Sequence, residues 1–252
     1  SADDCDTAVK VAHMFFFNTA QTIEVFAFGA GTIGGCMLDQ IRDQQKDLLA
    51  QGIDIKVMAI ANIDGMIMDA NGLDLTDWRG DVAEKGKLTN LDEIIQFVKD
   101  EKPLNPIFVD CTASYDLPNR YLDILEAGMH IATPNKRANS MSMDFYHQLR
   151  KTANRMHRRF LYETNVGAGL PIIDTLQNLF KSGDKLTGLV YPDYEEAKKN
   201  GIDENGLATI MEQTRTELNS TQPAYQKLAN IELMQEEFQK TPKKSIKRFL
   251  YN

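Results

Sequence analysis

The sequence predicts an α/β fold in which a mostly parallel sheet carries helices on both faces. From Thr22 onward, short apolar runs alternate with segments of helical periodicity, as in parallel sheets with crossover helices. Several of these runs end in glycine-rich or small polar turns, where open α/β sheets place their ligands. After Gly188 the alternation stops, and a small C-terminal α+β module is predicted.

Five apolar runs are predicted to form the strands of the sheet. They lie in the segments 23–29, 54–62, 106–114, 130–136 and 159–166. The segment 106–114 ends in a polar turn, and 130–136 ends in a loop. Between Ile63 and Lys87, the mixture of Gly, Asp and Met predicts a loop with one short helix.

Helices are predicted between these strands. They occupy residues 31–52, 91–101, 117–127 and 141–154, with another inside 169–184 that ends at Gly183. In the first of them, one face carries Ile33, Met37, Ile41 and Leu48. Asn90 is the predicted N-cap of the second.

The two ends of the chain differ from its middle. Residues 189–252 predict a helix near 194–200, a longer helix near 204–218, a short strand within 224–234 and a basic tail. Residues 1–17 have a helical spacing, and we expect them to be the remnant of an upstream regulatory domain in a longer protein. The predicted domains are therefore 18–188 and 189–252.

Composition excludes several classes of function. The 252 residues carry a net charge of −8, which argues against a nucleic-acid partner. No apolar run approaches the roughly 20 residues that span a bilayer, so no membrane partner is expected. Three scattered cysteines predict neither a disulfide framework nor a metal knuckle, and a cytoplasmic location fits best.

A glycine-rich turn is the strongest chemical signal. Gly29, Gly31 and Gly34 follow a buried strand and open an amphipathic helix, the setting of a Rossmann-type dinucleotide site. The first glycine allows a tight turn, the second lets the backbone approach a diphosphate, and the third lets helix and strand pack closely. The phosphates would then lie at the helix N-terminus, beside Thr32 and Ile33. The alternative is a glycine-rich packing turn.

The end of the second strand should contact the adenosine ribose of the cofactor. Asn62 lies there, and Asp64 follows two residues later. An acidic side chain at this place accepts hydrogen bonds from the ribose hydroxyls and repels a 2′-phosphate. We expect Asp64 to be a solvated loop residue, and the choice between NAD and NADP stays open.

Three further strand ends carry polar groups. Thr112, Ala113 and Ser114 follow the strand at 106, and Lys136 lies after the next one. Alternatively, residues 112–114 form an ordinary polar turn, and Lys136 is a solvated loop lysine. Residues 163–171 combine the Glu163 carboxylate with flexible backbone carbonyls, which could hold a monovalent cation through oxygen ligands.

These segments together resemble one enzyme family. FAFGAGTIGG, DCTAS, ATPNK and YETNVGAGLPIIDTLQNLFKSGD have the order and spacing of homoserine dehydrogenase. DDCDTAVKVAHMFFFNTAQ resembles the junction that precedes it in bifunctional aspartokinase–homoserine dehydrogenases. The resemblance covers residues 1 to about 188. It implies hydride transfer between NADP or NAD and a small-molecule substrate, aspartate semialdehyde, on the route to threonine and methionine.

The resemblance also implies roles for individual residues. Gly29, Gly31 and Gly34 would line the diphosphate, and Thr112, Ala113 and Ser114 would extend toward the nicotinamide. Lys136 would contact the cofactor and approach the reacting centre, where it would stabilise an alkoxide or donate a proton. The monovalent cation, sodium for example, would be held by Glu163 and the carbonyls of Val166, Ala168 and Leu170.

Residues 189–252 depart from this family. They contain nothing similar to its substrate-binding and dimerising region, so we expect cofactor binding without turnover and leave a homo-oligomer open. They resemble instead the C-terminal domain of AMP-forming long-chain acyl-CoA synthetases, which implies Lys244, or else Lys247, as the lysine of an adenylating site. The alternatives are therefore a fragment of an acyl-CoA ligase, or an inactive fusion that only binds nucleotide.

Overall fold

Six strands form one sheet in the order β3-β2-β1-β4-β5-β6. They are β1 (Gln21–Phe28), β2 (Ile53–Ala61), β3 (Met66–Met68), β4 (Pro106–Asp110), β5 (His130–Ala132) and β6 (Phe160–Leu161). Every neighbouring pair is parallel except β2 and β3. The predicted α/β fold with a mostly parallel sheet is thus confirmed.

This computed structural model describes residues 20–221 and 227–240, together with Cys5, Ala8, Val9, Ala12, Ile246 and Tyr251. It divides into two compact units, Ser1–Pro171 and Ile172–Asn252. Most of the predicted helix at 1–17 lies outside the described residues. So do Lys244, Lys247 and most of the basic tail.

Two details of the predicted strands are wrong. β3 lies in the region predicted as loop and short helix, and its length of 3 residues is too short to produce a periodic pattern. The predicted strand at 159–166 is paired only at Phe160 and Leu161 and then turns into a 3-10 helix, Glu163–Asn165. β5 ends at Ala132, so the later residues have no strand beside them with which to form a ladder.

Five helices connect the strands of this unit. They are α1 (Thr32–Ala50), α2 (Trp78–Lys85), α3 (Leu91–Glu101), α4 (Tyr121–Glu126) and α5 (Met143–Arg155). The Asn90 side chain caps α3 by accepting the Asp92 N–H at 3.0 Å, as predicted. α4 is preceded by a 3-10 turn, Leu117–Arg120, so the helix predicted at 117–127 consists of two parts.

The sheet has a hydrophobic cluster on each face, because successive strand side chains point to opposite sides. Phe26 and Phe28 of β1 pack in the cluster that contains residues of α3, α4 and α5. Val25 and Ala27 pack in the other, with residues of α1 and α2. The helices therefore cover both faces.

The second unit contains α6 (Ile172–Ser182), β7 (Leu186–Val190), α7 (Tyr194–Lys199), α8 (Glu204–Thr221) and β8 (Leu228–Leu233). The predicted helices near 194 and 204 and the strand within 224–234 are found, whereas β7 was not predicted. β7 pairs in parallel with β8 and contains Gly188, so the predicted junction lies inside a strand of this unit. The compact units separate earlier, after Pro171.

Among the described residues, no helix combines the length and the apolar character needed to cross a bilayer.

Phe108→Ala should lower the free energy of unfolding of the first unit by about 3–5 kcal/mol, because Phe108 is completely buried in the centre of the sheet. Urea denaturation can follow this unit through the fluorescence of Trp78, the single tryptophan of the chain. Ile63→Ala is the control, since Ile63 is fully exposed and should change stability by less than about 0.5 kcal/mol. Equal losses in the two variants would contradict the described core.

Candidate functional site

The candidate site lies where the strand order reverses direction. β1 pairs with β2 on one side and with β4 on the other, so the chain leaves β1 toward one edge and later returns to its other side. At such a switch point the loops after neighbouring strands diverge and leave a crevice at the carboxyl edge of the sheet. The glycine turn after β1 and residues 111–114 after β4 border this crevice.

Gly29 is required by both its conformation and its neighbours. Its φ of +86° lies in the left-handed region, and a Cβ there would be 2.7 Å from the backbone nitrogen of Thr112. Its N–H donates to the Ala61 carbonyl at 2.8 Å, which ties the turn to the end of β2. A Cβ on Gly34 would lie 2.1 Å from the Gly29 carbonyl oxygen, so α1 packs directly on the turn.

The N-terminus of α1 is open and uncapped. Gly31 is its N-cap residue, and a Cβ there would meet nothing within 4 Å. All residues of this first turn are described, and they include neither a side-chain cap nor an acidic group. The helix therefore presents unsatisfied N–H groups and a positive dipole end to open space, which fits a diphosphate.

We call the crevice beside this turn the turn cavity. Its volume is about 600 Å³. It is lined by Phe28, Gly29, Ala30, Gly31, Ala61, Asn62, Ile63, Asp64, Thr89, Cys111, Thr112, Ala113, Ser114 and Leu117. Six of the predicted cofactor residues are in this lining. Gly34 is buried beneath the turn, and Thr32 is exposed on α1 outside the lining.

Asn62 is held in place at the mouth of the turn cavity. Its Oδ1 accepts the N–H groups of Asp64 at 2.7 Å and Gly65 at 3.0 Å. The Thr89 hydroxyl donates to the Asn62 carbonyl at 2.7 Å. Thr89 was not predicted, because nothing in the sequence relates it to a strand end 27 residues earlier. Asp64 is exposed, as expected, and borders the cavity.

The lysine cavity, of about 630 Å³, lies on the other side of Cys111. It is lined by Ile33, Met37, Val109, Cys111, Ala132, Thr133, Pro134, Lys136, Leu161, Glu163, Thr164 and Ala168. Lys136 and Glu163 are thus brought to one cavity, whereas Val166 and Leu170 are outside its lining. Ile33 is 60% exposed here, although its spacing predicted the same face as the core-facing residues of α1.

A buried carboxylate connects the two loops that carry these residues. Asp110, the last residue of β4, is completely buried, and its Oδ1 accepts the Thr112 N–H at 2.7 Å. Its Oδ2 accepts the Tyr121 hydroxyl and the Asn135 Nδ2, the latter at 3.1 Å. The same Asn135 Nδ2 donates to the Ser114 carbonyl at 3.0 Å. Asp110 therefore fixes residues 112–114 relative to residues 133–136.

Burial controls the ionisation of two groups beside Asp110. Burial and the Asp110 carboxylate raise the pKa of the Cys111 thiol to about 11, so this cysteine is a neutral thiol near pH 7. Burial, followed by Asp110, also raises the pKa of the Tyr121 hydroxyl. Tyr121 therefore keeps the proton that it donates to Asp110, and Cys111 is held as the thiol, which is a poorer nucleophile than the thiolate.

Asp110 and Tyr121 were not predicted as site residues from the sequence. A signal for Asp110 existed, because a charged residue directly after the apolar run 106–109 is expected to need buried partners. Tyr121 had no such signal, since an aromatic residue in an amphipathic helix is typical of an ordinary core position.

The sequence matches the protein family described as homoserine dehydrogenase, NAD binding domain, over residues 29–163, more than half of the chain. The chain belongs to this family. The match contains the glycine turn, the end of β2, residues 111–114 and Lys136, so most of the lining of both cavities lies within the matched segment.

Curated relatives match a longer part of the chain than the family model does. The bifunctional aspartokinase/homoserine dehydrogenase of Haemophilus influenzae is 41% identical over 179 residues, which are 71% of this chain and 22% of that protein. A Candida auris protein of unknown function has a crystal structure with a TM-score of 0.59 and 27% identity, covering 66% of this chain and 46% of that chain. A second solved structure is that of a hyperthermophilic archaeal homoserine dehydrogenase mutant in complex with NADPH. Its similarity to this chain has a TM-score of 0.50 and 26% identity, and covers 64% of this chain and 50% of that one.

The chain spans about a fifth of the length of the bifunctional relatives that it matches. It corresponds to about half of each matched structure named above.

Asp110→Asn should lower the free energy of unfolding of the first unit by about 2 kcal/mol, because one amide oxygen cannot accept all the donors around it. Tyr121→Phe keeps the packed ring and should cost about 1–2 kcal/mol. Urea denaturation followed by Trp78 fluorescence measures both. The control is Asp116→Asn at an exposed site after the same strand. A loss in the control as large as in Asp110→Asn would show that the buried network contributes nothing.

Proposed function

We propose that the first unit binds a nicotinamide dinucleotide, NADP or NAD, as the cofactor-binding part of a homoserine dehydrogenase. The reaction served is hydride transfer between the cofactor and aspartate semialdehyde, which gives homoserine. Membership of the family supports this proposal. The observation that carries it is the uncapped N-terminus of α1, which opens into a cavity beside the glycine turn.

We assign the parts of the cofactor by their position along the turn cavity. The diphosphate lies against Gly29 and Gly31 and the first N–H groups of α1, which include those of Thr32 and Ile33. Asn62 faces the adenosine ribose at the end of β2. The Thr112, Ala113 and Ser114 loop leads toward the nicotinamide, which brings the reactive ring to the Cys111 boundary between the two cavities. The NADPH held by the archaeal relative supports this type of ligand.

Lys136 is the proposed catalytic residue. It is exposed and borders the lysine cavity, so its ammonium can reach a substrate carbonyl oxygen there. The nicotinamide supplies or accepts the hydride. Lys136 stabilises the negative charge that develops on the oxygen, or donates a proton to it. The Asp110 network contributes by fixing residue 135, directly before this lysine.

We propose a monovalent cation site, for sodium, in residues 163–170. Glu163 and Ala168 both border the lysine cavity. Ala168 has a φ of +54°, so the backbone here departs from regular structure and can aim carbonyl groups at an ion. The Glu163 carboxylate and the carbonyls of Val166, Ala168 and Leu170 are oxygen donors, which suit a hard cation.

The resemblance of residues 189–252 to the C-terminal domain of acyl-CoA synthetases is a separate proposal. It rests on sequence alone, and Lys244 lies outside the described residues. Nicotinamide fluorescence and an acyl-adenylate analogue distinguish the proposals. A response to NADH favours the dehydrogenase part, whereas protection against proteolysis only by the acyl-adenylate favours a ligase fragment.

Gly31→Val should weaken dinucleotide binding at least about tenfold, because the new side chain projects into the open space at the α1 N-terminus. Titration with NADH, followed by nicotinamide fluorescence, measures the affinity. Gly169→Val is the matched control, because a Cβ there also meets nothing within 4 Å and the residue is not in the turn-cavity lining. Unchanged affinity in a folded Gly31→Val variant would remove the diphosphate assignment.

The 252-residue chain should not reduce aspartate semialdehyde, even with saturating NADH or NADPH. The reason is that residues 189–252 lack similarity to the substrate-binding region that the family resemblance implies. Absorbance at the nicotinamide band measures turnover, and a complete homoserine dehydrogenase is the positive control. Turnover by this chain at a rate comparable to that control would show that the residues described here suffice for catalysis.

A further inference from the structure

A smaller cavity lies beside the glycine turn, at the end of β2. This β2-end cavity has a volume of about 280 Å³. It is lined by Ala30, Asn62, Asp64, Trp78, Arg79, Val82 and Ala83. Ala30, Asn62 and Asp64 also line the turn cavity, so the two spaces adjoin. In doubly wound folds the ribose 2′ position lies at this strand end, and it is the point at which NAD and NADP differ.

Arg79 is the cationic side chain in this lining, and it is already engaged. Its Nη1 and Nη2 donate to the two carboxylate oxygens of Asp39 at 2.9 and 2.8 Å, a bidentate pair. Its guanidinium also lies 4.2 Å from the centre of the Trp78 ring. Two of the five N–H donors of Arg79 are thus committed to Asp39, and this carboxylate offsets the charge that would attract a phosphate.

The Asp39 carboxylate is held in position to offset the charge of Arg79. The Trp78 Nε1 donates to Asp39 at 3.1 Å, and Arg42 donates to it at the same distance. The hydrogen bond from Arg79, followed by that from Trp78, holds the pKa of the Asp39 carboxyl well below its usual range. Asp39 is therefore ionised throughout the neutral pH range, and its charge offsets that of Arg79.

The remaining charges near the β2-end cavity do not favour a phosphate. The exposed Asp64 carboxylate borders both this cavity and the turn cavity. Two lysines follow at the end of α2, but Lys85 is paired with Asp81 and Lys87 with Glu93. Among these described side chains, a 2′-phosphate would thus meet one carboxylate, two paired lysines near the cavity and an arginine whose charge Asp39 offsets.

We propose that this chain binds NAD(H) in preference to NADP(H), with Asp64 and the Asp39–Arg79 pair as the specificity determinants. The inference rests on the proposed dinucleotide function. The 2′-hydroxyl of NAD is a donor for the Asp64 carboxylate, whereas the 2′-phosphate of NADP is repelled by it. The Asp39 carboxylate offsets the charge of Arg79 and so weakens its attraction for the 2′-phosphate.

Titration of the full chain with NADH and with NADPH, each followed by nicotinamide fluorescence, tests this preference. We expect NADH to bind at least about tenfold more tightly. Equal affinities, or tighter binding of NADPH, would overturn the inference and leave the proposed function intact. Binding of neither dinucleotide would overturn the proposed function, and this inference with it.

Two variants test the assigned residues. Asp39→Asn releases the Arg79 charge and should strengthen NADPH binding about tenfold, with NADH binding changed by less than about twofold. Asp64→Asn should also bring the affinities for NADH and NADPH closer together. Asp64 is exposed, so the fold does not depend on its side chain. Asp43→Asn is the matched control, because Asp43 is on the same helix and pairs with Arg42, whereas Arg79 is held by Asp39. The assignment would be overturned if the ratio of the NADH and NADPH affinities stayed at the parent value in both test variants. It would also be overturned if the ratio changed equally in Asp43→Asn.

Discussion

The close approach between the turn at Gly29 and the loop after β4 is the constraint on which the site depends. A side chain at Gly29 would collide with the Thr112 backbone, and one at Gly34 would collide with the Gly29 carbonyl. Because both positions lack a Cβ, β1, α1 and the end of β4 converge within contact distance. The open helix N-terminus at Gly31 and residues 112–114 therefore border one cavity.

A second constraint, the buried Asp110 carboxylate, determines how the site continues beyond this turn. Its hydrogen bonds reach Thr112 on one loop and Asn135 on the other, while Tyr121 supplies a donor from α4. A buried charge is tolerated because each oxygen has hydrogen-bond partners. The network fixes the position of residue 135, and with it the start of the loop that presents Lys136 to the lysine cavity.

Much of the fold could be predicted from the sequence, because hydrophobic periodicity and glycine chemistry are local signals. They predicted the parallel sheet, the α1 start at Gly31 and the turn at Gly29. The antiparallel β3 and the strand β7 were missed, since their short pairing depends on partners elsewhere in the chain. The same is true of Thr89, whose contact with Asn62 is made only by the tertiary fold. The ion pair near the adenosine end could not be predicted either, because Asp39 and Arg79 are 40 residues apart in the sequence.

Backbone amide NMR shifts during titration with ADP test whether the N-terminus of α1 receives a diphosphate. ADP carries the diphosphate without the nicotinamide, so its effect isolates this end of the site. We expect the largest shifts at the N–H groups of Gly31, Thr32 and Ile33, with smaller ones at Asn62. Saturable shifts confined to other parts of the chain, with these amides unchanged, would contradict this assignment of the diphosphate.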